Sequence, residues 1–341
     1  MNRKLKLAAL GLATVAFPAM FLAGRFCSGG TAEHRTITMS HSFGQKHPIH
    51  KFLADFAAQV EHNSKGKISI KIYDSAQLGA EPQFLEQLRL GILDGGVVSN
   101  QIMTKYAPVF LIFQYPYIWQ DELQVRAFLN NFVETRLAAL LQKSNCGFSL
   151  CCSLTNGMNG LYFAEAAVPV QLENQRKKQF FAYAGAPSCV KYFTKLGLIP
   201  IPIAKGEVYS ALQMRMINVG ENTLPGLISS KHFETAKIFV ATNHTPAVFY
   251  LVFNSNFMAG LSAGEKALLQ QAWSSAKVKY EKISSPDLAK MAEKSGIAYQ
   301  RLSEKDVLYL RQLADSEFKK GSNVLRQVFQ HKESDKRINK Q

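Results

Sequence analysis

The chain has 341 residues, 47% of them hydrophobic and 19% charged, with a mean hydropathy of -0.07. That balance excludes a wholly disordered chain, a collagen-like repeat and a polytopic membrane protein, and the length suits one large domain or two medium ones. The formal net charge of +15 admits an anionic partner, but the cations are spread along the body and the densest basic run, Arg176-Lys177-Lys178, is short.

Residues 1–32 read as a secretory signal peptide or a membrane anchor. Arg3, Lys4 and Lys6 open the segment, residues 7–24 are apolar apart from Thr14, and Arg25 closes it. A small-residue site at Gly30 and Ala32 would leave Glu33 as the mature start. Cys27 follows Arg25 and Phe26, a bulky pair that argues against lipid attachment there. The segment carries four cations and no anions, so the body keeps +11. Four cysteines remain in the body: Cys146, Cys151, Cys152 and Cys189. No C-x-x-C pair is present, which leaves buried free thiols or a single bridge, with Cys189 as one candidate partner.

In chain order, residues 35–42 alternate as a strand. A helix follows, with Phe52, Phe56 and Val60 at helical spacing, and Gly66 ends it. Residues 67–74 alternate as a second strand, Pro82 opens another helix, and residues 95–100 form a third strand. This strand-helix-strand order predicts parallel pairing in an α/β layer. The aromatic stretch at 109–121 suggests a stacking platform or, more simply, core at a domain junction. A helix is predicted over 122–143 and an extended run over 147–162 with a turn at Asn159-Gly160. A helix follows that ends at Gly197. The prolines of the next stretch, Leu198 to Ala204, place it at a sheet edge. A short helix at 206–212 precedes a strand at 216–222, and the apolar run 247–254 is a strong strand. Ser262 and Glu265 have the spacing of a capping box that opens a long helix. A further amphipathic helix covers 305–318, and the last fifteen or so residues are expected to fray.

Catalytic and cofactor signatures are missing. There is no phosphate-binding glycine loop, no H-E-x-x-H and no G-x-S-x-G. No zinc-finger spacing or aromatic-glycine RNA motif is present, so nucleic acid is not an expected partner. His47 and His50 stand three apart without an acid to complete a metal site. Two α/β halves without catalytic groups point to ligand capture between lobes.

Four segments resemble the extracytoplasmic solute receptors of tripartite ATP-independent periplasmic transporters, the DctP-type family. They are residues 47–79, ending in Gln77-Leu78-Gly79; residues 84–99 with 115–121; residues 195–213, with Glu207-Val208-Tyr209 and Ala211-Leu212-Gln213; and Gly220-Glu221-Asn222. The resemblance spans roughly 35–325. It implies a two-lobed α/β periplasmic solute-binding protein with crossing hinge strands and a long linking helix. It also implies a cleft that closes on one small organic solute, docking on the membrane permease subunits, no cofactor and no covalent chemistry. On this basis 33–158 with 247–285 form one lobe, 159–246 with 286–325 the other, and 326–341 a polar tail.

The departures from the family pattern are informative. The family clamps a solute carboxylate with arginine at two positions, which here hold Tyr162 and, counting back from Gly197, Ala182 within Phe181-Ala182-Tyr183. Neither side chain supplies the planar fork of a guanidinium. Lys205 stands where the family often has an aromatic or apolar cleft residue, and could meet an anion as a point charge or extend to solvent. Asn222 matches a solute-contacting position, and Ser42, Glu81 and Ser99 fall at cleft positions of the first lobe. The resemblance therefore implies a solute set of Ser42, Glu81, Ser99, Tyr162, Phe181, Ala182, Tyr183, Lys205 and Asn222. Tyr162, Phe181 and Tyr183 favour an aromatic, neutral or cationic solute, and a cleft-facing Lys205 a monoanion. The alternatives are a receptor serving another transporter class or a sensor, an enzyme on the same architecture, and a degenerate receptor that no longer binds.

Overall fold

The computed structural model describes residues 34–338, apart from 132–136, 166–169, 173–176, 183–186, 204 and 285–286. Residues 1–32, expected from the sequence to be a signal peptide or anchor, therefore lie outside the described residues. Two mixed sheets organise the rest.

The first sheet has the order β2-β1-β3-β10-β4, built from β1 (Arg35–Ser40), β2 (Ile68–Tyr73), β3 (Gly95–Ser99), β4 (Phe148–Met158) and β10 (Pro246–Asn254). β1 is parallel to β2 and β3, as the alternating order predicts, and β10 runs antiparallel between β3 and β4. Helix α1 (Pro48–Asn63) covers one face. His47 caps its start by accepting from the Ile49 N–H through Nδ1, and Pro48 sits in the first turn, where no intrahelical donor is needed. Its stripe of Phe52, Leu53, Phe56 and Val60 is buried with Ile37, Met39, Leu251 and Phe253. Full burial of each such side chain contributes about 1.5–3 kcal/mol. α2 (Glu81–Arg89), α3 (Asn100–Met103), α4 (Glu122–Phe128) and α5 (Ala138–Lys143) belong to the opposite face. The aromatic stretch is core on this side: Phe113 and Trp119 stack at 5.4 Å, and the indole N–H donates to the Ile112 carbonyl. β10 is buried from Val248 to Asn254, and its residues alternate between the two cores, Val248, Tyr250 and Val252 to one and Phe249, Leu251 and Phe253 to the other.

The second sheet has the order β11-β9-β5-β8-β6-β7. Its strands are β5 (Gly160–Phe163), β6 (Gln179–Ala182), β7 (Ile199–Pro202), β8 (Val219–Asn222), β9 (Ile238–Ala241) and β11 (Ala298–Arg301). β5 is antiparallel to β8 and β9, and the other pairs are parallel. Proline-rich β7 lies on the sheet edge, as its missing donors require. On one face α6 (Pro187–Lys195) packs with Leu161, Phe163 and Val240. On the other, α7 (Val208–Gln213), α8 (Leu224–Ser229) and α11 (Leu288–Lys294) pack with Tyr162 and Phe239.

The chain passes between sheets at Asn159, between β4 and β5, and at Thr242–Thr245, between β9 and β10. The two crossings are tied together: the Asn159 N–H donates to the Thr245 carbonyl at 2.7 Å, and its side-chain amide donates to Thr245 Oγ1 at 3.1 Å. α9 (Ser255–Gly260) leads into α10 (Ala263–Ile283), which opens on the predicted capping box of Ser262 and Glu265. α12 (Glu304–Ile338) lies against both halves. Leu310 and Ala314 join the core of the second sheet, while the Gly321 backbone approaches Tyr115 and Ile118 so closely that a Cβ would sit 2.6 Å from Ile118.

The helix predicted over 122–143 is present in its described residues, as α4 and α5 with π-helical turns at 129–131 and 137 between them. Two expectations differ from the structure. The tail expected to fray is helical as far as Ile338. Its run of Lys, Glu, Asp and Arg without Gly or Pro after Gly321 suits continued helix, with opposite charges three or four apart. The extended run at 147–162 is two strands in different sheets, because the Asn159 crossing interrupts it. The four body cysteines are free thiols.

Candidate functional site

Parallel strands in α/β sheets present ligands to the loops at their carboxyl ends. In the first sheet these are the loops after β1, β2 and β3. In the second they follow β6, β7, β8 and β9. Of the residues singled out from the sequence, Ser42, Glu81, Ser99 and Asn222 lie at these strand ends or in the loops that follow them.

In the loop after β1, His41 is fully buried. The Phe43 N–H donates to His41 Nδ1 at 3.1 Å, which fixes the imidazole proton on Nε2, and that proton is donated to His50 Nδ1 at 3.1 Å. Burial, with His50 adding to it and Asp74 opposing, lowers the His41 pKa from 6.5 to about 4. Phe43 stacks on the His47 ring at 4.2 Å. Asp74, after β2, accepts from Ser75 Oγ at 2.6 Å and Gln45 Nε2 at 3.0 Å, and these bonds hold its carboxyl below the usual value. The Ser42 hydroxyl oxygen is buried and has no hydrogen-bond partner among the described residues.

Glu81 and Ser99 are brought together. Glu81 is buried in the first turn of α2, where the helix favours negative charge. Its carboxylate accepts from the Ser99 N–H at 2.8 Å and from Ser99 Oγ at 2.5 Å.

On the second sheet, Tyr162 pairs with Gly220, and Gly160 pairs with Asn222. Tyr162 and Asn222 thus stand on neighbouring strands, and β6, which carries Phe181 and Ala182, is the next strand over. The Tyr162 ring is 1% exposed and lies over Gly220, where a Cβ would come within 2.0 Å of the ring. Its hydroxyl bonds to His232 Nδ1 at 2.9 Å, and burial pushes its pKa up. Asn222 is half-buried and accepts from the Thr223 N–H at 2.8 Å. Tyr183 lies outside the described residues, as do the side chains of Phe181, Ala182 and Lys205; the Lys205 backbone opens a short turn before α7.

One contact joins the two edges. Asn156 of β4 donates from Nδ2 to Thr223 Oγ1 at 3.2 Å and stands 3.4 Å from His47 Nε2. Thr223 caps α8 and His47 caps α1, so one buried amide links the helix starts of both halves. Asn156 Oδ1 has no partner among the described residues. Sequence reasoning passed over this residue and used the Asn-Gly pair at 159 instead; the other pair, Asn156-Gly157, was the available signal. Glu221 bonds to His244 at 3.0 Å, and Thr242 Oγ1 holds the other imidazole nitrogen at 2.8 Å.

The family model of bacterial extracellular solute-binding proteins, family 7, DctP, matches residues 39–324. The chain belongs to this family. It is a DctP-family solute-binding protein of tripartite ATP-independent periplasmic transport, with the family's two-lobed α/β fold, and it is not an enzyme. Among its relatives, a solute-binding protein of Chromohalobacter salexigens is 26% identical over 198 residues, which span 58% of each chain. The sialic acid-binding periplasmic protein SiaP of Vibrio cholerae is 28% identical over 65% of this chain and 67% of its own. In structure, the periplasmic solute-binding protein of Shewanella oneidensis with bound succinate superposes with a TM-score of 0.79 at 19% identity, over 87% of this chain and 97% of that one. A Sulfitobacter protein with bound β-D-galacturonate gives 0.77 at 19%, over 87% and 97%.

Proposed function

We propose that this DctP-family protein captures a small neutral or cationic organic solute between its two sheet edges and delivers it to the membrane permease subunits. The observation that carries the proposal is the fate of Tyr162. Where the family supplies a guanidinium, this chain supplies a phenol that is buried and bonded to His232. The second clamp position is Ala182. A bidentate arginine contributes both charge and geometry to carboxylate recognition, and neither replacement provides them. The acidic groups at the strand ends, Asp74, Glu81 and Glu221, accept from hydroxyl, amide and imidazole groups. Such an edge favours a solute that donates hydrogen bonds or carries positive charge. Ser42, Glu81, Ser99, Lys205 and Asn222 are the proposed contacts, with Phe181 and Tyr183 as ring surfaces.

Capture proceeds by closure of the halves about the Asn159 and Thr242–Thr245 crossings, and the closed form is the one the permease recognises. Export past the cytoplasmic membrane is assigned to residues 1–32, with the segment either cleaved or kept as an anchor. The structures compared above hold succinate and galacturonate, both carboxylates, so a matched pair tests the proposal directly. Calorimetry should give at least tenfold tighter binding of neutral galactose or an amino sugar than of galacturonate. Tighter galacturonate binding that is lost in K205A would overturn the neutral-solute assignment and install Lys205 as the anion contact. Absence of binding across a broad neutral, cationic and anionic library would instead support a degenerate receptor.

A further inference from the structure

On the α6 face of the second sheet, opposite the side carrying Tyr162, three residues from separate segments converge. Cys189 comes from the first turns of α6, Glu221 from β8, and His244 from the crossing between β9 and β10. Each presents one ligand atom (thiol sulfur, carboxylate oxygen, imidazole nitrogen), and the three atoms lie within 4.8 Å of one another. Cys189 and His244 are buried, and the Glu221 side chain is 17% exposed. From this convergence we propose that Cys189, Glu221 and His244 bind a single zinc-type divalent transition-metal ion.

The donor set is one that zinc uses: sulfur, nitrogen and oxygen, with bonds of about 2.3, 2.0 and 2.1 Å. In a tetrahedral site the nitrogen and oxygen ligands stand about 3.3 Å apart. His244 Nε2 and Glu221 Oε1 are now 3.0 Å apart, so admitting an ion asks for a shift of a few tenths of an ångström. The remaining imidazole nitrogen is already held by Thr242 Oγ1 at 2.8 Å, the kind of outer contact that orients metal-ligating histidines. The Gln114 carbonyl oxygen, 3.5 Å from the Cys189 sulfur, adds a neutral acceptor at the rim. Gln114 itself is 2% exposed, and neither atom of its side-chain amide has a partner among the described residues, so the neighbourhood carries polar capacity that the protein leaves unused. Three protein ligands leave one coordination position for water, reached from the Glu221 side. A bound ion would fasten α6 to the hinge crossing, because His244 also accepts through its carbonyl from the Tyr117 N–H at 2.7 Å.

The test is cobalt substitution and zinc competition on the full-length chain freed of metal. The wild type should take up one equivalent of Co2+ with a sulfur-to-cobalt charge-transfer band, and Zn2+ should displace it and raise the Tm. C189A should lose the band and at least tenfold in zinc affinity, while C151A should retain both. E221Q, which keeps the size of the side chain, should weaken zinc with the band still present. Failure of the wild type to bind stoichiometric zinc would overturn the assignment. So would a C189A protein that binds zinc as tightly as wild type. None of these readouts involves the solute, so they stand apart from the solute-binding proposal.

Discussion

Acid should destabilise this fold through His41. The imidazole is buried at the end of β1 with both nitrogens engaged, Nδ1 as acceptor from the Phe43 N–H and Nε2 as donor to His50. A second proton could only go on Nδ1, where it would face the Phe43 donor and sit beside His50. The folded-state pKa of about 4 lies below the ordinary 6.5. The folded chain therefore binds fewer protons than the unfolded chain between those values. Stability is full above about pH 6.5 and falls as the pH drops toward about 4. A shift of this size corresponds to about 3 kcal/mol, at about 1.4 kcal/mol for each pH unit within the window. Asp74 acts in the same sense at lower pH: its folded-state value is depressed by Ser75 and Gln45, so the stability it contributes is lost as the pH falls through the carboxylate range, beneath that window.

The perturbation is H41N. Asparagine Oδ1 can accept from the Phe43 N–H in place of Nδ1, and the amide does not titrate. Urea unfolding of both proteins from pH 7.5 to 4.5 should show the wild type losing about 2–3 kcal/mol more than the variant over that range. H41N should be less stable at pH 7.5 and comparatively flat toward acid. Two parallel stability curves would refute the assignment of acid sensitivity to His41.

Two further predictions concern the Tyr162 site. Y162F removes the hydroxyl that bonds to His232 at 2.9 Å and should cost about 1–2 kcal/mol, lowering the Tm by about 2–3 °C in a differential scanning measurement. G220A places a Cβ 2.0 Å from the Tyr162 ring and should cost about 1–3 kcal/mol; the same change in a Y162A background should cost much less, and equal costs in both backgrounds would place the clash elsewhere.

What was legible in the sequence was local. The Ser262–Glu265 box, the alternation of residues 67–74 and the apolar run of β10 each declare themselves within a few residues, and all three are present. The four-residue strands β9 and β11 were not anticipated: Ile238–Ala241 is buried on both faces, so it shows no alternation, and Ala298–Arg301 is too short for a period to register. Asn156 was missed for a different reason. Its partners Thr223 and His47 are 67 and 109 residues away, and no local pattern reports a side-chain bond across such separations. The identities of Tyr162 and Ala182 could be read from the sequence, but the contact of Tyr162 with His232, 70 residues along the chain, could not.

If Tyr162 holds the family's arginine position, as proposed, that hidden contact changes what the replacement means. Arginine is permanently charged and has to reach solvent, a carboxylate or the solute. A tyrosine alone at the same strand position could turn its hydroxyl toward the solute. With His232 beside it, the hydroxyl is satisfied inside the protein and the ring can close over Gly220. On the proposed alignment of Tyr162 with the family's arginine, the second sheet thereby carries a packed face in place of a cation at its edge. The first sheet keeps the buried carboxylate of Glu81, anchored by two donors from Ser99. A solute carboxylate brought within about 4 Å of such a group would meet repulsion on the order of 4 kcal/mol at an effective dielectric of 20. That is nearly three powers of ten in affinity. A family-like acid could be retained only if another cation offset this repulsion, and Lys205 is the lysine proposed as a solute contact. K205A therefore separates the two cases: lost binding of an acid assigns the missing charge to lysine, whereas unchanged binding of a neutral solute leaves the site to hydrogen bonds and ring surfaces.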